Sequence, residues 1–445
     1  MRLGVAAEDL ASMARLLLRN GRVIDPASKL DERLDVLIDE GYIEKVGPNI
    51  EADDAEVFDA DGLIVAPGFI DLRARLREPG LEHAETIESG AKAAAAGGFT
   101  IVCTLPQTQP VNDSATVTSF LVDRAARQSY ATILPIGAIT QGVEGEQLAE
   151  IGSMKAAGAV AVSDGDNTVM SAALMRRAMR YAQSFDLTVI DHCEDVTLAA
   201  DGSVHDGLLS TRLGLTGIPG SAEETIVARD IILSGETGAR FHAAHLSTAA
   251  AVAMIRRAKA EGKPVTAEVA AHQFVLTADD VPGYDSNYKV QPPLREPADA
   301  RALIEGLLDG TIDAIVSDHA PHTGNVKMQE FESCPFGITG LETAVGLAIE
   351  GLIHGAGFPA MRLVELFTTG PAAVLRRKDM GRIEKGAVAN LTLLDLERRW
   401  EFTPEDTHSI SRNSPFYGRQ FRGGAAATVY CGRVVWRAGN GLAQP

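Results

Sequence analysis

Three observations place this chain in the α/β class, as a (β/α)8 TIM-like barrel beside a small composite β-sandwich built from both chain ends. Apolar, strand-like runs alternate with helical stretches eight times through the middle of the sequence, the pattern of a closed parallel barrel. Both ends are instead strings of short apolar runs broken by turn dipeptides. Polar residues of chemical interest recur just after the barrel strands, at the end where this architecture carries its chemistry. The chain has 445 residues with 45% hydrophobic content, enough for a large core.

The elements follow in order. Residues 1–13 precede a second methionine, Met13, and read as a frayed tail or as sequence upstream of the true start. Residues 14–66 form the first part of the β-domain. Its strands are Leu16–Leu18, Arg22–Ile24, Asp35–Ile38 and Ile43–Val46, separated by turns at Asn20-Gly21, Asp25-Pro26 and Glu40-Gly41. Residues 67–381 form the barrel. Its strands fall at Gly68–Leu76, Thr100–Leu105, Thr132–Ile136, Val160–Val162, Thr188–Ile190, Arg240–Ala244, Pro264–Val269 and Ala314–Val316. The first connecting helix runs from Glu85 to Ala96: it opens on acids, is rich in alanine and stops at Gly97-Gly98. Residues 382–445 return to short strands, Leu391–Leu394, Ala427–Val429 and Val434–Trp436, and complete the β-domain.

Composition excludes several functions. Net charge is -19, with no long block of one sign, which argues against nucleic acid or an anionic membrane as partner. No apolar run reaches the roughly 20 residues that span a bilayer. The cysteines Cys103, Cys193, Cys334 and Cys431 are scattered, without a CxxC pair or signal peptide, as in a cytoplasmic protein with reduced thiols. Gly97-Gly98 is a helix stop rather than a phosphate loop, since no GxxxxGK[ST] or GxGxxG pattern is present.

The candidate site lies in the strand-end residues. Arg73, Arg75 and Arg77 alternate along the first barrel strand and share one side of it. A guanidinium stays protonated and offers no lone pair to a metal. Gln107 follows the second strand, Asp164 and Asp166 the fourth, His192 the fifth, His245 the sixth, His272 the seventh and Asp318 the eighth.

These motifs resemble the bacterial type I dihydroorotases of the amidohydrolase superfamily from about residue 14 onward. They include Arg77-Glu78-Pro79-Gly80, Asp191-His192-Cys193-Glu194-Asp195, Ala244-His245-Leu246-Ser247-Thr248, Pro292-Pro293-Leu294-Arg295 and Ser317-Asp318-His319-Ala320-Pro321-His322. The resemblance implies the amidohydrolase type of barrel, reversible hydrolysis of dihydroorotate to carbamoyl aspartate, and zinc that polarises the amide and activates water. Carried over residue by residue, the site is incomplete. Arg73 and Arg75 stand where the family has two histidine ligands, and Gly165 where it has a bridging aspartate. His192, His245 and Asp318 match the remaining ligands, with Asp318 also the proton-handling residue. Arg77, Gln107, Gln291 and His322 fall on substrate-binding positions, the two glutamines in place of asparagines.

This pattern resembles the non-catalytic dihydroorotase-like chains that assemble with the aspartate transcarbamoylase catalytic chain. Pro106-Gln107-Thr108, Val290-Gln291-Pro292-Pro293 and Gly145-Glu146-Gln147-Leu148-Ala149-Glu150 carry that likeness. The resemblance therefore implies an oligomeric, zinc-free structural partner in pyrimidine biosynthesis. The alternatives are an active dihydroorotase or related cyclic amidohydrolase with a reduced, single-zinc site, and a sensor that binds a dihydroorotate-like carboxylate through Arg77. His319 is open to a functional or a structural reading. Two guanidinium groups in a barrel mouth need counter-charges. Arg73 or Arg75 is accordingly expected to pair with Asp318, or else with Asp164, Asp166 or Glu194.

Overall fold

The computed structural model describes residues 15–443; the tail proposed for residues 1–13 lies outside them. Strands from both chain ends enter one nine-stranded sheet. The seam is antiparallel pairing of Leu391–Glu401 with Ile64–Pro67, in the register Leu391 to Pro67 and Leu394 to Ile64. Two of its hairpins turn on paired left-handed residues. Glu40 and Gly41 have φ of 46° and 79°, joining Leu30–Asp39 to Tyr42–Gly47, and Cys431 and Gly432 have φ of 47° and 83°, joining Gln420–Tyr430 to Arg433–Arg437. Positive φ at both central positions matches the twist of the flanking strands.

The middle of the chain forms the parallel barrel, with strands Phe69–Ala74, Phe99–Thr104, Thr132–Pro135, Val189–Asp191, Phe241–Ala243, Val265–Ala270 and Ala314–Val316. The fourth position, expected at Val160–Val162, is reduced to the single bridge residue Val162, paired with Gly137 on one side and Val189 on the other. Backbone bonds from Val160 N to Pro135 O (3.0 Å) and from Ile190 N to Val162 O (2.8 Å) still carry the ladder through it. A bridge between Ala74 and His319 closes the ring from strand eight to strand one.

Alternation along these strands separates two cores. Ile70, Leu72, Ile101, Cys103, Leu134, Ile190, Ala270 and Val316 fill the barrel interior. Phe69, Phe99, Val102, Val189 and Phe241 face outward and pack beneath the helices. The first helix is Ile87–Gly97, later than its acidic start suggested. Thr86 is the N-cap, accepting from Ser89 N, and Gly98 at φ 92° ends the helix. That shift takes Glu85 out of the helix and into the interior, where it is fully buried.

Candidate functional site at the barrel mouth

Strand one slips in its pairing with strand two between Asp71 and Ala74, an irregularity of the kind that re-aims a side chain beside a site. Arg73 and Arg75 both reach the mouth there, and each meets the same two carboxylates. Arg73 Nε donates to Asp318 Oδ1 at 3.0 Å and its Nη2 to Asp166 Oδ1 at 2.6 Å. Arg75 Nε donates to Asp166 Oδ2 at 3.0 Å, its Nη1 to Asp318 Oδ1 at 3.4 Å, and its Nη2 also to Asp166 Oδ1. Two cations and two anions thus form a neutral, cross-linked cluster joining the ends of strands one and eight to the loop after Val162. The expected pairing with Asp318 is present, and Asp166 pairs with both arginines as well.

Side-chain exposure is 1% for Arg73, 7% for Arg75, 7% for Asp318 and 28% for Asp166, so water reaches the cluster mainly through Asp166. Burial works against the charge on Asp166, but Arg75 and Arg73 outweigh it and hold the carboxyl well below its usual range. Burial likewise opposes the charge on Arg75, and Asp166 and Asp318 overcome it to raise its pKa.

Gly165 carries the loop past this cluster at φ 70°. A Cβ there would fall 2.3 Å from Gln107 Oε1 and 2.4 Å from its Cδ. The glutamine therefore fills the space that a side chain at position 165 would need, and Arg73 Nη2 lies 3.3 Å from the Gly165 carbonyl. Asp164, next in the chain, turns away: it accepts from Ile139 N at 2.8 Å, from Thr140 N at 2.9 Å and from the Thr140 hydroxyl. Burial raises its carboxyl to about 6.

The histidines form a separate group. His192 Nδ1 lies 3.0 Å from His245 Nε2, and the other nitrogen of each ring is buried without a hydrogen bond, His192 Nε2 lying 3.8 Å from Glu194 Oε1. Burial, then the charge of Arg73, drives His245 well below the usual imidazole value. His272 is buried with Nε2 unpartnered. Gln291 Nε2 donates to Glu194 Oε1 at 2.6 Å, which ties that glutamine to the wall beside His192.

The strand was expected to continue to Leu76 but ends at Ala74, and Arg77 leaves it at φ 60°. Arg77 Nε donates to Pro321 O at 3.1 Å, and its Nη2 lies 3.2 Å from His322 Nε2. Burial, then Arg75, lowers Arg77 to about 10; burial, then Arg77, lowers His322 to about 3, so that ring is neutral.

His319 takes a structural role. Its Nδ1 accepts from Gly340 N at 3.2 Å, so Nε2 carries the proton and faces Glu85 Oε2 at 3.2 Å. Nothing in the local sequence signals this pair, because Glu85 reads as an ordinary helix-start acid. A second ion cluster also escaped the sequence reading. Arg229 donates to Asp230 at 2.8 and 3.0 Å and to Asp191 at 3.3 Å, with the buried Cys193 alongside. Adjacent residues such as Arg229 and Asp230 carry no periodic signal.

A closed parallel barrel with strand-end charges and an appended sheet defines an amidohydrolase-type protein. Solved structures of that class superpose over nearly the whole chain. An L-hydantoinase from Arthrobacter aurescens gives a TM-score of 0.87 at 23% identity, covering 97% of this chain and 98% of its own. A D-hydantoinase from Thermus sp. gives 0.82 at 26%, covering 96% and 97%. A family model described as dihydro-orotase-like matches residues 62–251. A chain named dihydroorotase from Solibacter usitatus is 54% identical over 421 residues, spanning 95% of this chain and 98% of its own. Another of that name from Syntrophotalea carbinolica is 47% identical over 423 residues, spanning 95% and 99%. The chain belongs to the dihydroorotase family.

That family implies zinc at the mouth, and the residues here do not fit a zinc pair. Arg73 and Arg75, at the strand-one positions expected to carry ligands, are guanidinium groups, which cannot coordinate. The carboxylates Asp318 and Asp166 are already neutralised by them. Near His192 and His245 a divalent cation would find those carboxylates already engaged by Arg73 and Arg75, and burial with the Arg73 charge already disfavours positive charge on His245. Among the described residues, one group of side chains stands close enough together to hold a metal: Asp191, Cys193 and Asp230, behind strand five. Arg229 already occupies its carboxylates. No helix among the described residues is long and apolar enough to cross a membrane.

Proposed function

We propose that this chain is a dihydroorotase-family protein of pyrimidine biosynthesis that has given up metal-dependent ring hydrolysis and acts as a structural partner of the aspartate transcarbamoylase catalytic chain. The observation that carries the reading is the cluster of Arg73, Arg75, Asp166 and Asp318. It fills the ligand positions of strand one with internal cations, so no activated hydroxide can be held against a substrate amide. Asp166, one place beyond Gly165, is engaged by both arginines. Gln107 lies over Gly165, where a bridging carboxylate would stand. The partnership rests on the likeness of Pro106-Gln107-Thr108, Val290-Gln291-Pro292-Pro293 and Gly145–Glu150 to chains that assemble in this way. The test is to co-express the chain with the aspartate transcarbamoylase catalytic chain of the same genome. A complex on size exclusion, with no dihydroorotate hydrolysis by the purified chain, is the expected result. Turnover dependent on added zinc, or two chains that elute separately, refutes it.

One observation favours a second reading, an enzyme with a reduced zinc site. His192 and His245 sit 3.0 Å apart, each with an unpartnered ring nitrogen, and Arg77 with His322 still lines the mouth. One zinc per chain, lost together with hydrolysis on His192→Ala, supports that reading over the first.

A further inference from the structure

A second cavity, of about 240 Å3, opens where the nine-stranded sheet meets helix Ile87–Gly97. Both tryptophans of the chain, Trp400 and Trp436, line it, and none of the mouth residues does. Trp400 is held firmly. Its Nε1 donates to Gly423 O at 3.0 Å and its ring stacks on Phe421 at 4.6 Å between centroids. Gly346 and Gly424 leave room for it, since a Cβ on either would fall 3.3 or 3.1 Å from the indole.

Arg398 lies over both indoles, its Cζ 5.1 Å from the Trp400 centroid and 5.9 Å from that of Trp436. Its Nη1 donates to Ala425 O at 2.8 Å. Among the described residues the guanidinium meets no carboxylate, and Nε and Nη2 have no protein acceptor. A guanidinium edge of that kind matches a carboxylate in a bidentate pair. Glu342 also lines the cavity, 8% exposed, with His408 N donating to its Oε1 at 2.5 Å. Burial raises its carboxyl to about 8, so at neutral pH it is an acid able to donate. Glu405 and Asp406 also line the cavity and disfavour a multiply charged ligand such as a phosphate dianion.

Phe421 and Arg398 cover the Trp400 ring, so a flat ring meets the indoles at their edges, an arrangement that aromatic pairs also favour. A cavity of about 150 Å3 accepts benzene, so this one has room for a substituted ring. We propose that the cavity is a binding site for a small planar heteroaromatic carboxylate, its carboxylate on the free edge of Arg398, its ring against the indoles and its carbonyl or ring acceptor on Glu342. The site is separate from the barrel mouth and stands whether or not the mouth is catalytic.

Isothermal titration of the full chain with orotate and with nicotinate tests this, alongside intrinsic fluorescence, since both tryptophans are in the wall. The expected result is one saturable equivalent per chain with quenched emission. Affinity should fall about tenfold or more in Arg398→Gln, a loss of about 1.4 kcal/mol. It should be unchanged in Arg77→Gln and kept in Glu342→Gln, whose amide still donates. Uracil, which lacks the carboxylate, and cyclohexanecarboxylate, which is not flat, should bind more weakly. No saturable binding at millimolar probe overturns the proposal. So does binding that Arg77→Gln abolishes and Arg398→Gln leaves intact, which would place the ligand in the mouth.

Discussion

Replacing Asp318 by alanine tests whether the arginine cluster supports the barrel. The native cluster balances two guanidinium groups against two carboxylates. The variant leaves Asp166 alone to serve both, with a net positive charge where Arg73 is only 1% exposed. Arg73 Nε loses an acceptor at 3.0 Å and Arg75 Nη1 one at 3.4 Å. Removing one partner of a buried ion pair costs about 3–5 kcal/mol, mainly through the uncompensated charge. Asp166 remains and is open to water on one side, so the loss belongs at the lower end, about 3 kcal/mol. Urea unfolding reads it as a fall in midpoint at unchanged slope. Asp61→Ala is the control: it removes a pair with Arg33 whose side chains are 63% and 61% exposed, and should cost less than about 0.5 kcal/mol. Arg73→Met combined with Asp318→Leu should recover much of the loss, because apolar groups of similar volume replace a buried pair at little cost. A loss for Asp318→Ala below about 1 kcal/mol, or no greater than for Asp61→Ala, refutes the reasoning.

The remaining predictions concern pH, metal and the Gly165 loop. Because the folded-state pKa of Asp166 is depressed, its contribution to stability is complete above the ordinary carboxylate range, near pH 4, and is lost as pH falls further. Asp166→Asn should flatten that acid limb of the stability curve, and an unchanged limb would count against the pairing. Elemental analysis of the purified chain should find no stoichiometric zinc, and dialysis against EDTA should leave the unfolding midpoint in place. Arg73→His with Arg75→His should gain zinc, since Asp166 and Asp318 then stand unneutralised near His192 and His245; a variant as zinc-free as the parent would show that the arginines do not exclude the metal. Gly165→Asp should destabilise by about 1 kcal/mol or more, from the left-handed backbone and from displacing Gln107, whose Oε1 lies 2.3 Å from where the Cβ would fall. Gln107→Asn, one methylene shorter, should relieve part of that loss; no relief would mean that the glutamine does not fill the space.

Some of this was written in local sequence. Strand–helix alternation, the turns at Glu40-Gly41 and after Gly97, and the position of the charged residues at the strand ends all follow from period, turn chemistry and propensity, which act over a few residues. So does the absence of a side-chain metal ligand at 73, 75 and 165, since a guanidinium has no free lone pair and a glycine has no side chain. Other features needed the tertiary structure. The sequence names Asp164 and Asp166 alike, yet one pins Ile139 and Thr140 and the other pairs with both arginines. Which does which depends on a left-handed turn at Gly165 and a slipped register at Asp71–Ala74. Glu85 becomes the partner of His319 only because the chain folds strand eight beside strand one. Trp400 and Trp436 share a cavity only because Leu391–Glu401 and Arg433–Arg437 flank Gln420–Tyr430 in one sheet that packs on helix Ile87–Gly97. Local sequence determines which conformations and which chemistry each residue can have. Long-range packing decides which charges meet, because an ion pair or a cavity depends on distances between segments that no short stretch of chain contains.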